Sequence, residues 1–570
     1  MSYPKGNKST TTRAAKALKR KFHGNQFTDV KDESIKQSVS AKKLATASSK
    51  NVVYNPIHCY RIIEFLTVFG ALSEMLICRE CKQNVKFEEA GNRGLGFKLI
   101  VICRCNRKEI NSGPLINHGY EINRRTVFVM RLLGVGREGI NLFCGLMDIG
   151  QGISKNAYSL IVEHIHSAAS VVFDSLCQKA VKEEKEKNVK NGRPTNLKIS
   201  GDGSWKKRGF TSLYGVTTLI GYYSGKVIDF IVKGSYCQAC TFWSKKRNTE
   251  EYAKWYEEHE EECASNHTGS AGKMEVDAVQ EMFSRSENKY KVKYGNYIGD
   301  GDSKTYKAIL DLNPYGDDFP VVKSECIGHV EKRMDSRLRN IKTKEKLGGK
   351  GKLTNVLIKK LTKYYGLAIR RNIESVDDMA KAIMTYYHLC STNKKPMHEN
   401  CSPGPDSWCR YHVAQASDTN FDHPPALHPD VAKHLLPIYK DLSRKDLLER
   451  CLGGHTQNAN ESFNSTVWRL APKHLHSGIK VIEIAAYIAA GVFNEGYYAV
   501  LKIMETLQIN IGQQCKFFAD TYDAERVTRQ ERRSLSNTRE ARMARRQQQI
   551  ELNEFYEEAE GLLYRCGIAN

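Results

Sequence analysis

Three acidic residues stand where carboxylates can meet around metal ions. Asp202 and Asp300 each end a short apolar run that predicts a β-strand, and Glu461 lies at the start of an Asn-rich helix. If the strands are neighbours, the three carboxylates could hold two hydrated cations that clamp the attacking and leaving oxygens of a phosphodiester. Because the chain contains 64 acids, surface carboxylates at strand ends are the alternative interpretation.

The 17 cysteines include sets with the spacing of metal ligands. The first set is a CxxC pair and, after 21 intervening residues, a CxC pair, both flanked by strand-like runs. Two close thiol pairs on two hairpins can close one tetrahedron around Zn²⁺, so the set predicts a zinc ribbon. Buried reduced thiols are the alternative. The members of the set are Cys78, Cys81, Cys103 and Cys105.

A second set lies in a segment that follows three predicted strands. Its predicted zinc ligands are Cys237, Cys240, Cys263 and His267. His259 lies one helical turn before Cys263 in a stretch that looks helical, so His259, Cys263 and His267 could share one face. Only some of them can be ligands of a four-coordinate metal.

A third set holds four potential ligands in fifteen residues around a Pro/Gly turn. They are His398, Cys401, Cys409 and His412. The spacing is typical of no one metal site, and the sequence leaves open both a zinc site and a loop held by its proline and tryptophan side chains.

The elements that must position the acids show the order of a known α/β fold. Three runs rich in β-branched residues predict an antiparallel meander, and helix, strand, helix and strand follow. These predicted elements are 197–202, 214–220, 226–232, 274–290, 294–300, 303–312 and 319–326. This is the order of the ribonuclease H fold, in which the first and fourth strands lie side by side.

The charge distribution indicates a polyanionic partner. The net charge is +23, and residues 1–50 hold 12 lysines and arginines against three acids. A second basic stretch, 526–546, holds eight arginines and two glutamates. Such blocks bind nucleic acid by releasing counterions from phosphates. Lys16, Lys19, Arg20 and Lys21 lie in a Ser/Thr-rich tail that we expect to be disordered and that could carry a nuclear import signal. We find no signal peptide or membrane-spanning run and expect a soluble intracellular protein.

Between the ribbon and the first predicted strand, apolar residues recur at helical intervals over 123–182. Three short helices with scattered arginines permit a helix-turn-helix DNA reader, and simple packing is the alternative. Arg124 and Arg125 are its candidate DNA contacts, and a polar linker at 183–196 is predicted to end it.

These motifs, in this order, resemble the animal-type Mutator-like transposases over roughly residues 55–505. The resemblance rests on SGDGSWKKRG around Asp202, IGDGDSKTYKA around Asp300, ECIGHVEKRM at 325–334, HENCSPGPDSWC, and TQNANESFNSTVWRLAPK around Glu461. Cys326 and His329 fall just after the second acid, where the family carries a C/D-x2-H signature.

The resemblance implies a DDE triad of Asp202, Asp300 and Glu461 that uses Mg²⁺ or Mn²⁺. Asp302 could compete with Asp300, since both lie in GDGD. Cys326 and His329 would support the site or form a buried structural pair, and Arg333 is a further candidate DNA contact.

The charge, cysteine and helix patterns, together with the resemblance for the transposase core and its insertion, predict a domain order. The expected segments are a disordered basic tail (1–52), a zinc-ribbon module (53–120), a helical segment (121–190), a ribonuclease H-like transposase/integrase domain (195–510) with a zinc-binding insert (237–270) and a helical insertion (335–450), and a charged helical tail (511–570).

Two functions remain open at this point. The first is cut-and-paste DNA transposition, in which a strand is hydrolysed at the element end and the freed 3′-hydroxyl attacks target DNA. The second is a domesticated relative that binds DNA or chromatin without cutting. For the first we expect a nuclear protein that works as a homo-oligomer on transposon ends and target DNA, with structural Zn²⁺ and no membrane partner.

Overall fold

A computed structural model of the protein describes residues 38–45, 52–189, 192, 194–206, 212–300, 303–349, 351–401, 403–405, 407 and 409–534. In its described part the chain divides into two compact units. The larger contains residues 38–333 and 449–534, and the smaller contains 334–448. Lys16, Lys19, Arg20, Lys21 and Asp302 lie outside the described residues.

The larger unit begins with two helices and two small antiparallel sheets. Their bounds are α1 (Val39–Leu44), α2 (Phe65–Met75), β1 (Lys86–Arg93), β2 (Gly96–Ile102), β3 (Arg107–Asn111), β4 (Leu115–Ile116) and β5 (Gly119–Tyr120). The first three strands pair in the order β1-β2-β3 and form the sheet that follows the CxxC pair.

Helix α1 differs from the disordered tail expected over 1–52. The Lys43 side chain is buried, and its Nζ lies 3.4 Å from the centroid of the Phe493 ring. Arg526 donates a hydrogen bond to the Ser40 hydroxyl over 3.2 Å. The aliphatic stem of Lys43 and these polar contacts fix the segment, although its composition alone predicts disorder.

Three helices follow the ribbon: α3 (Glu121–Leu132), α4 (Arg137–Leu146) and α5 (Lys155–Asn188). Ser154 caps α5 by accepting a hydrogen bond from the Ala157 amide. Instead of three short helices, α5 runs for 34 residues into the predicted linker. The reason is tertiary: Glu184 is buried and accepts hydrogen bonds from the amides of Tyr223 and Ser224.

Helix α5 packs within the larger unit and does not form a separate module. By length and composition it is the one helix among the described residues that could cross a membrane. Phe173 of this helix lies 4.5 Å, centroid to centroid, from the ring of Phe230 in the central sheet. This packing is that of a core helix.

The central sheet has five strands: β6 (Asn196–Trp205), β7 (Tyr214–Gly221), β8 (Val227–Gly234), β9 (Lys293–Gly299) and β10 (Val322–Glu325). The order across the sheet is β10-β9-β6-β7-β8. β6, β7 and β8 form an antiparallel meander, whereas β9 runs parallel to β6 and β10 runs parallel to β9. Ser200 lies opposite Ile298, so the residues two positions further, Asp202 and Asp300, come to the same end of the sheet.

Four helices lie between the strands: α6 (Gln238–Trp243), α7 (Glu250–His259), α8 (Ala271–Tyr290) and α9 (Ser303–Leu312). The next group is α10 (Ile327–Lys344), α11 (Asn355–Arg371), α12 (Val376–Met384), α13 (Arg410–Ala416), α14 (Pro429–Leu442) and α15 (Lys445–Cys451). Most of this group belongs to the smaller unit, which occupies the place of the predicted helical insertion and has Leu361, Tyr365 and Tyr439 in its own core.

The chain returns to the larger unit with α16 (Asn458–Leu470), α17 (Ile479–Glu495), α18 (Tyr498–Thr506) and α19 (Gln513–Ser534). Helices cover both faces of the sheet. Phe230 contacts Phe173 and Tyr487 on one face, and its neighbour Asp229 pairs with Arg285 of α8 on the other. Every residue of β7 is therefore buried, as expected for a strand covered on both faces.

A buried lysine before β8 forms ion pairs with two of the helices that cover the sheet. Lys226 is 1% exposed, and its Nζ lies 2.6 Å from Glu495 and 2.9 Å from Glu183. Glu495 also contacts Lys179 at 2.7 Å. The network joins the sheet to α5 and α17.

Replacing Lys226 by Ala is expected to lower the free energy of unfolding by about 3 kcal/mol, because Glu183 and the buried Glu495 lose the cation between them, although Glu495 keeps its contact with Lys179. Lys233→Ala is the control: Lys233 contacts the half-exposed Glu281, and its loss should cost no more than about 1 kcal/mol. Urea unfolding of the two variants measures the difference. Equal losses would contradict the role given to the Lys226 network.

Candidate functional site

Three amide side chains hold α16 against β6. Gln457 donates to the Gly201 carbonyl over 2.5 Å, Asn460 to the Ser200 carbonyl over 3.1 Å, and Asn464 to Asp202 Oδ2 over 2.8 Å. Residues at intervals of three and four share one helix face, so the three amides meet three successive residues of the strand. We call these hydrogen bonds the amide ladder.

Asn460 has the most partners of the three. It is completely buried, accepts a hydrogen bond from the Ser200 hydroxyl over 2.7 Å and donates to the Thr218 hydroxyl over 3.2 Å. It thereby links α16 to both β6 and β7. This places Glu461, the next residue, at the end of the sheet where Asp202 and Asp300 lie.

Asp300 and Glu461 both act electrostatically on Asp202. Burial raises the pKa of Asp202 to about 7; the charge of His329 opposes the rise, and the charges of Asp300 and Glu461 add to it. Asp300 and Glu461 are themselves exposed, and Lys332 Nζ lies 3.8 Å from Glu461. The sequence-predicted trio is thus gathered at one place, with Asp202 as its most enclosed member.

Cys326 and His329 lie beside the acids. The Cys326 amide donates to the carbonyl of Gly299, the residue before Asp300, over 3.1 Å. A hydrogen bond with the Cys326 thiol raises the pKa of His329, and the charge of Asp300 acts in the same direction. Burial is the largest single influence on Cys326 and opposes its ionisation, but hydrogen bonds with the side chain and backbone of His329, the charge of His329 and a backbone hydrogen bond from Gln457 together lower the pKa of the thiol. His329 therefore brings positive charge near Asp202 and Asp300.

Two of the acids, Asp202 and Glu461, line a cleft of about 540 Å³. Its lining residues are Asp202, Gly203, Ser204, Glu461, Asn464, Ser465, Trp468, Arg469 and Lys473. Gly203 has no room for a side chain, since a Cβ there would come within 2.5 Å of Glu275.

The donor set fits a hard divalent cation. Three carboxylates supply the oxygen ligands that Mg²⁺ and Mn²⁺ prefer, and their mutual repulsion is what a cation would relieve. Asn464 engages one oxygen of Asp202 and thereby orients the carboxylate.

The four cysteines of the ribbon come together. Their sulfurs all lie within 4.8 Å of one another, with 3.6 Å between Cys78 and Cys105 and 3.4 Å between Cys103 and Cys105. Hydrogen bonds from the amides of Cys81 and Glu80 lower the pKa of Cys78 to about 6. The thiolate form, which binds metals, is favoured there, and the group could hold zinc.

The second set differs from the sequence prediction at its fourth member. Cys237, Cys240 and Cys263 lie together with His259, and the Cys237 sulfur is 3.3 Å from His259 Nε2. His267 points elsewhere: its Nδ1 is 3.0 Å from Asp277 and its Nε2 is 3.2 Å from the Ser270 carbonyl. The choice of His267 is therefore corrected to His259. A 3₁₀ turn over Glu260–Glu262 returns Cys263 to the end of α7, where His259 lies.

The third set contains three of its four predicted members. His398, Cys401 and Cys409 lie together, with His398 Nδ1 3.1 Å from the Cys409 sulfur. His412 is not part of the cluster, so its prediction as a ligand is corrected: its Nε2 lies 3.1 Å from the His398 carbonyl oxygen. His423, which the sequence reasoning missed, has its Nε2 3.2 Å from Nε2 of His398. It lies 14 residues after Cys409 in a segment without a motif, and no sequence signal would have found it.

The arginines proposed to contact DNA make internal contacts. Arg124 donates to the Leu507 carbonyl over 2.8 Å, Arg125 lies 2.7 Å from Glu121, and Arg333 lies 2.6 Å from Glu325. These contacts fasten helices within the larger unit. The three side chains thus have structural contacts, and their contact with DNA stays a prediction.

Comparison with known families gives one match. The family model described as Mutator-like transposase matches residues 59–409, which is more than half of the chain. The matched range includes Asp202 and Asp300 and ends before Glu461. No curated protein matches the sequence.

Replacing His259 by Ala is expected to remove one equivalent of bound zinc, because the imidazole supplies a fourth ligand to the set of Cys237, Cys240 and Cys263. His267→Ala is the matched control and should keep the full zinc content. Elemental analysis of the purified variants measures the difference. Zinc loss in the His267 variant alone would restore the original assignment.

Replacing Asn460 by Ala is expected to lower the free energy of unfolding by about 2–3 kcal/mol, because buried groups of Ser200 and Thr218 lose their partner. Asn458 lies exposed on the same helix, and Asn458→Ala should change the free energy of unfolding by less than about 0.5 kcal/mol. Urea unfolding tests both. If Asn460→Ala leaves the free energy of unfolding unchanged, the amide ladder does not hold α16 in place.

Proposed function

Since the chain belongs to the Mutator-like transposase family, we propose that it cleaves DNA strands and transfers them to target DNA with Asp202, Asp300 and Glu461 as its catalytic acids. The observation that carries the proposal is the electrostatic influence of both Asp300 and Glu461 on the enclosed Asp202. Like charges destabilise one another, so a protein without metal-dependent chemistry has no electrostatic reason to gather them.

We further propose that the five-stranded sheet is a ribonuclease H-like core. Its strand order and directions support this, with an antiparallel meander at one side and two parallel strands at the other. The parallel neighbours β6 and β9 are the pair whose ends carry Asp202 and Asp300.

In the proposed reaction the three acids would hold Mg²⁺ or Mn²⁺. Bound cations of this kind stabilise charge on the attacking and leaving oxygens of a phosphodiester. Water attacks the phosphodiester at the element end and the P–O3′ bond breaks; the freed 3′-hydroxyl then attacks a target phosphodiester and displaces its 3′-oxygen. Asn464 orients Asp202 throughout, and the charge of His329 moderates the repulsion between the acids.

Partners and location follow from the same proposal. A transposase acts on DNA, and the net charge of +23 favours a polyanion. We propose nuclear action, oligomers assembled on transposon ends, and structural zinc in the cysteine clusters. The domesticated, non-cleaving relative is the competing function, and the cleavage test separates the two.

Asp202→Asn and Glu461→Gln should each abolish Mg²⁺-dependent strand cleavage, because each removes a carboxylate from the proposed metal site while DNA binding is kept or slightly tightened. Asp311→Asn, which neutralises an exposed carboxylate of the same unit, should cleave normally. The assay measures nicking of duplex DNA that carries the genomic sequences flanking the gene, beside binding of the same DNA.

Wild-type protein that binds this DNA and never cuts it would favour the domesticated relative. Loss of binding in both acid variants would show that the acids hold the fold and would end the catalytic assignment.

A further inference from the structure

Beyond Glu461, α16 continues along the cleft and brings cations to it. Trp468 and Arg469 lie on the lining, and Lys473 follows just after the helix ends. The Trp468 indole N–H donates to the Ser204 hydroxyl over 2.7 Å, which fixes the ring beside the strand that carries Asp202. Lys473 Nζ lies 4.8 Å from the centroid of this ring. A cation at this distance is held by the face of the indole.

The segment that carries Lys473 is itself anchored. Lys206 is buried, and its Nζ donates to the Ser477 carbonyl over 3.2 Å. Arg469 is exposed and lies 3.4 Å from the Tyr522 hydroxyl. Arg469 and Lys473, which we call the cationic rim, therefore hold positive charge at a fixed place in a cleft whose other lining residues include Asp202 and Glu461.

Helix geometry sets the distance between Glu461 and the cationic rim. Trp468, whose ring holds Lys473 Nζ, follows Glu461 by seven residues, which corresponds to about 10 Å along the axis at about 1.5 Å per residue, and Arg469 lies one residue further. One DNA strand advances about 3.4 Å per nucleotide, so this distance spans about three nucleotides. A small anion cannot occupy both places at once, whereas a nucleic acid strand presents a phosphate at each.

We propose that the cationic rim binds phosphates of a DNA strand about three nucleotides from the phosphodiester that the acids engage. The inference rests on the proposed function and names a contact to its substrate. The acids without a cation repel the strand, so the contribution of the rim depends on their neutralisation.

The test is a salt titration of binding to a fluorescently labelled duplex with the flanking genomic sequences, in Ca²⁺ and in EDTA. Ca²⁺ takes the same oxygen ligands and serves as the probe cation. In Ca²⁺, Lys473→Ala should weaken binding several-fold and reduce the slope of log K against log salt by about 0.9, with about twice this reduction for the double Arg469→Ala, Lys473→Ala variant. In EDTA the losses should be smaller. Lys155→Ala, at an exposed lysine of the same unit, should leave the slope unchanged.

Equal losses in Ca²⁺ and EDTA would overturn the proposal, because the rim would then bind DNA away from the acids. An unchanged slope in both conditions would overturn it as well. The test also distinguishes the rim proposal from the proposed function. If the wild-type protein does not cleave but the rim variants lower the slope more in Ca²⁺ than in EDTA, only the proposed function fails. If the wild-type protein cleaves normally and the variants leave the slope unchanged, only the rim proposal fails. Thermal melting confirms that the exposed-site variants are folded.

Discussion

The amide ladder between α16 and β6 is the constraint on which the candidate site depends. Glu461 is exposed and has no packing of its own to fix it, so its place is set by its neighbours on the helix. Asn460, completely buried, accepts and donates hydrogen bonds on two strands at once. A buried amide leaves unpaired groups behind if the helix shifts by one residue, and the cost of such groups makes the register specific.

The ladder matters because the acids themselves repel. Burial and the two neighbouring carboxylates raise the pKa of Asp202 to about 7, so the fold holds Asp202 against an electrostatic gradient. Two features reduce the cost: Asp300 and Glu461 remain exposed to water, and His329 and Lys332 bring positive charge. The acids are therefore held in position although their charges repel. A divalent cation would relieve this repulsion.

Much of the central sheet could be predicted from the sequence, because strand periodicity and the positions of the acids at strand ends are local signals. What failed depends on contacts between distant residues. The sequence predicts His267 as the fourth ligand of the second set, whereas the 3₁₀ turn before Cys263 brings His259 to the three cysteines. The polar end of α5 has the composition of a linker. It is helical because Glu184 accepts hydrogen bonds from the Tyr223 and Ser224 amides, 39 and 40 residues away in the sequence. In the same way, Arg124 and Arg125 look like surface cations but lie against carbonyl groups more than 380 residues away.

The ladder joins residues about 260 positions apart, and this separation raises the question of how the chain closes so long a loop. Loop closure costs entropy before long-range contacts form. Glu325 offers a physical answer: it is 2% exposed, and it pairs with Arg333 at 2.6 Å and with Arg450 at 3.5 Å. The Ile327 amide also donates to the His455 carbonyl over 2.9 Å. These contacts hold together the two points at which the chain leaves and re-enters the larger unit. Once they form, residues 334–448 no longer lengthen the loop between the sheet and α16, which begins shortly after Arg450. The placement of the third acid thus follows from the buried carboxylate of Glu325 as much as from the amides that finally fix it.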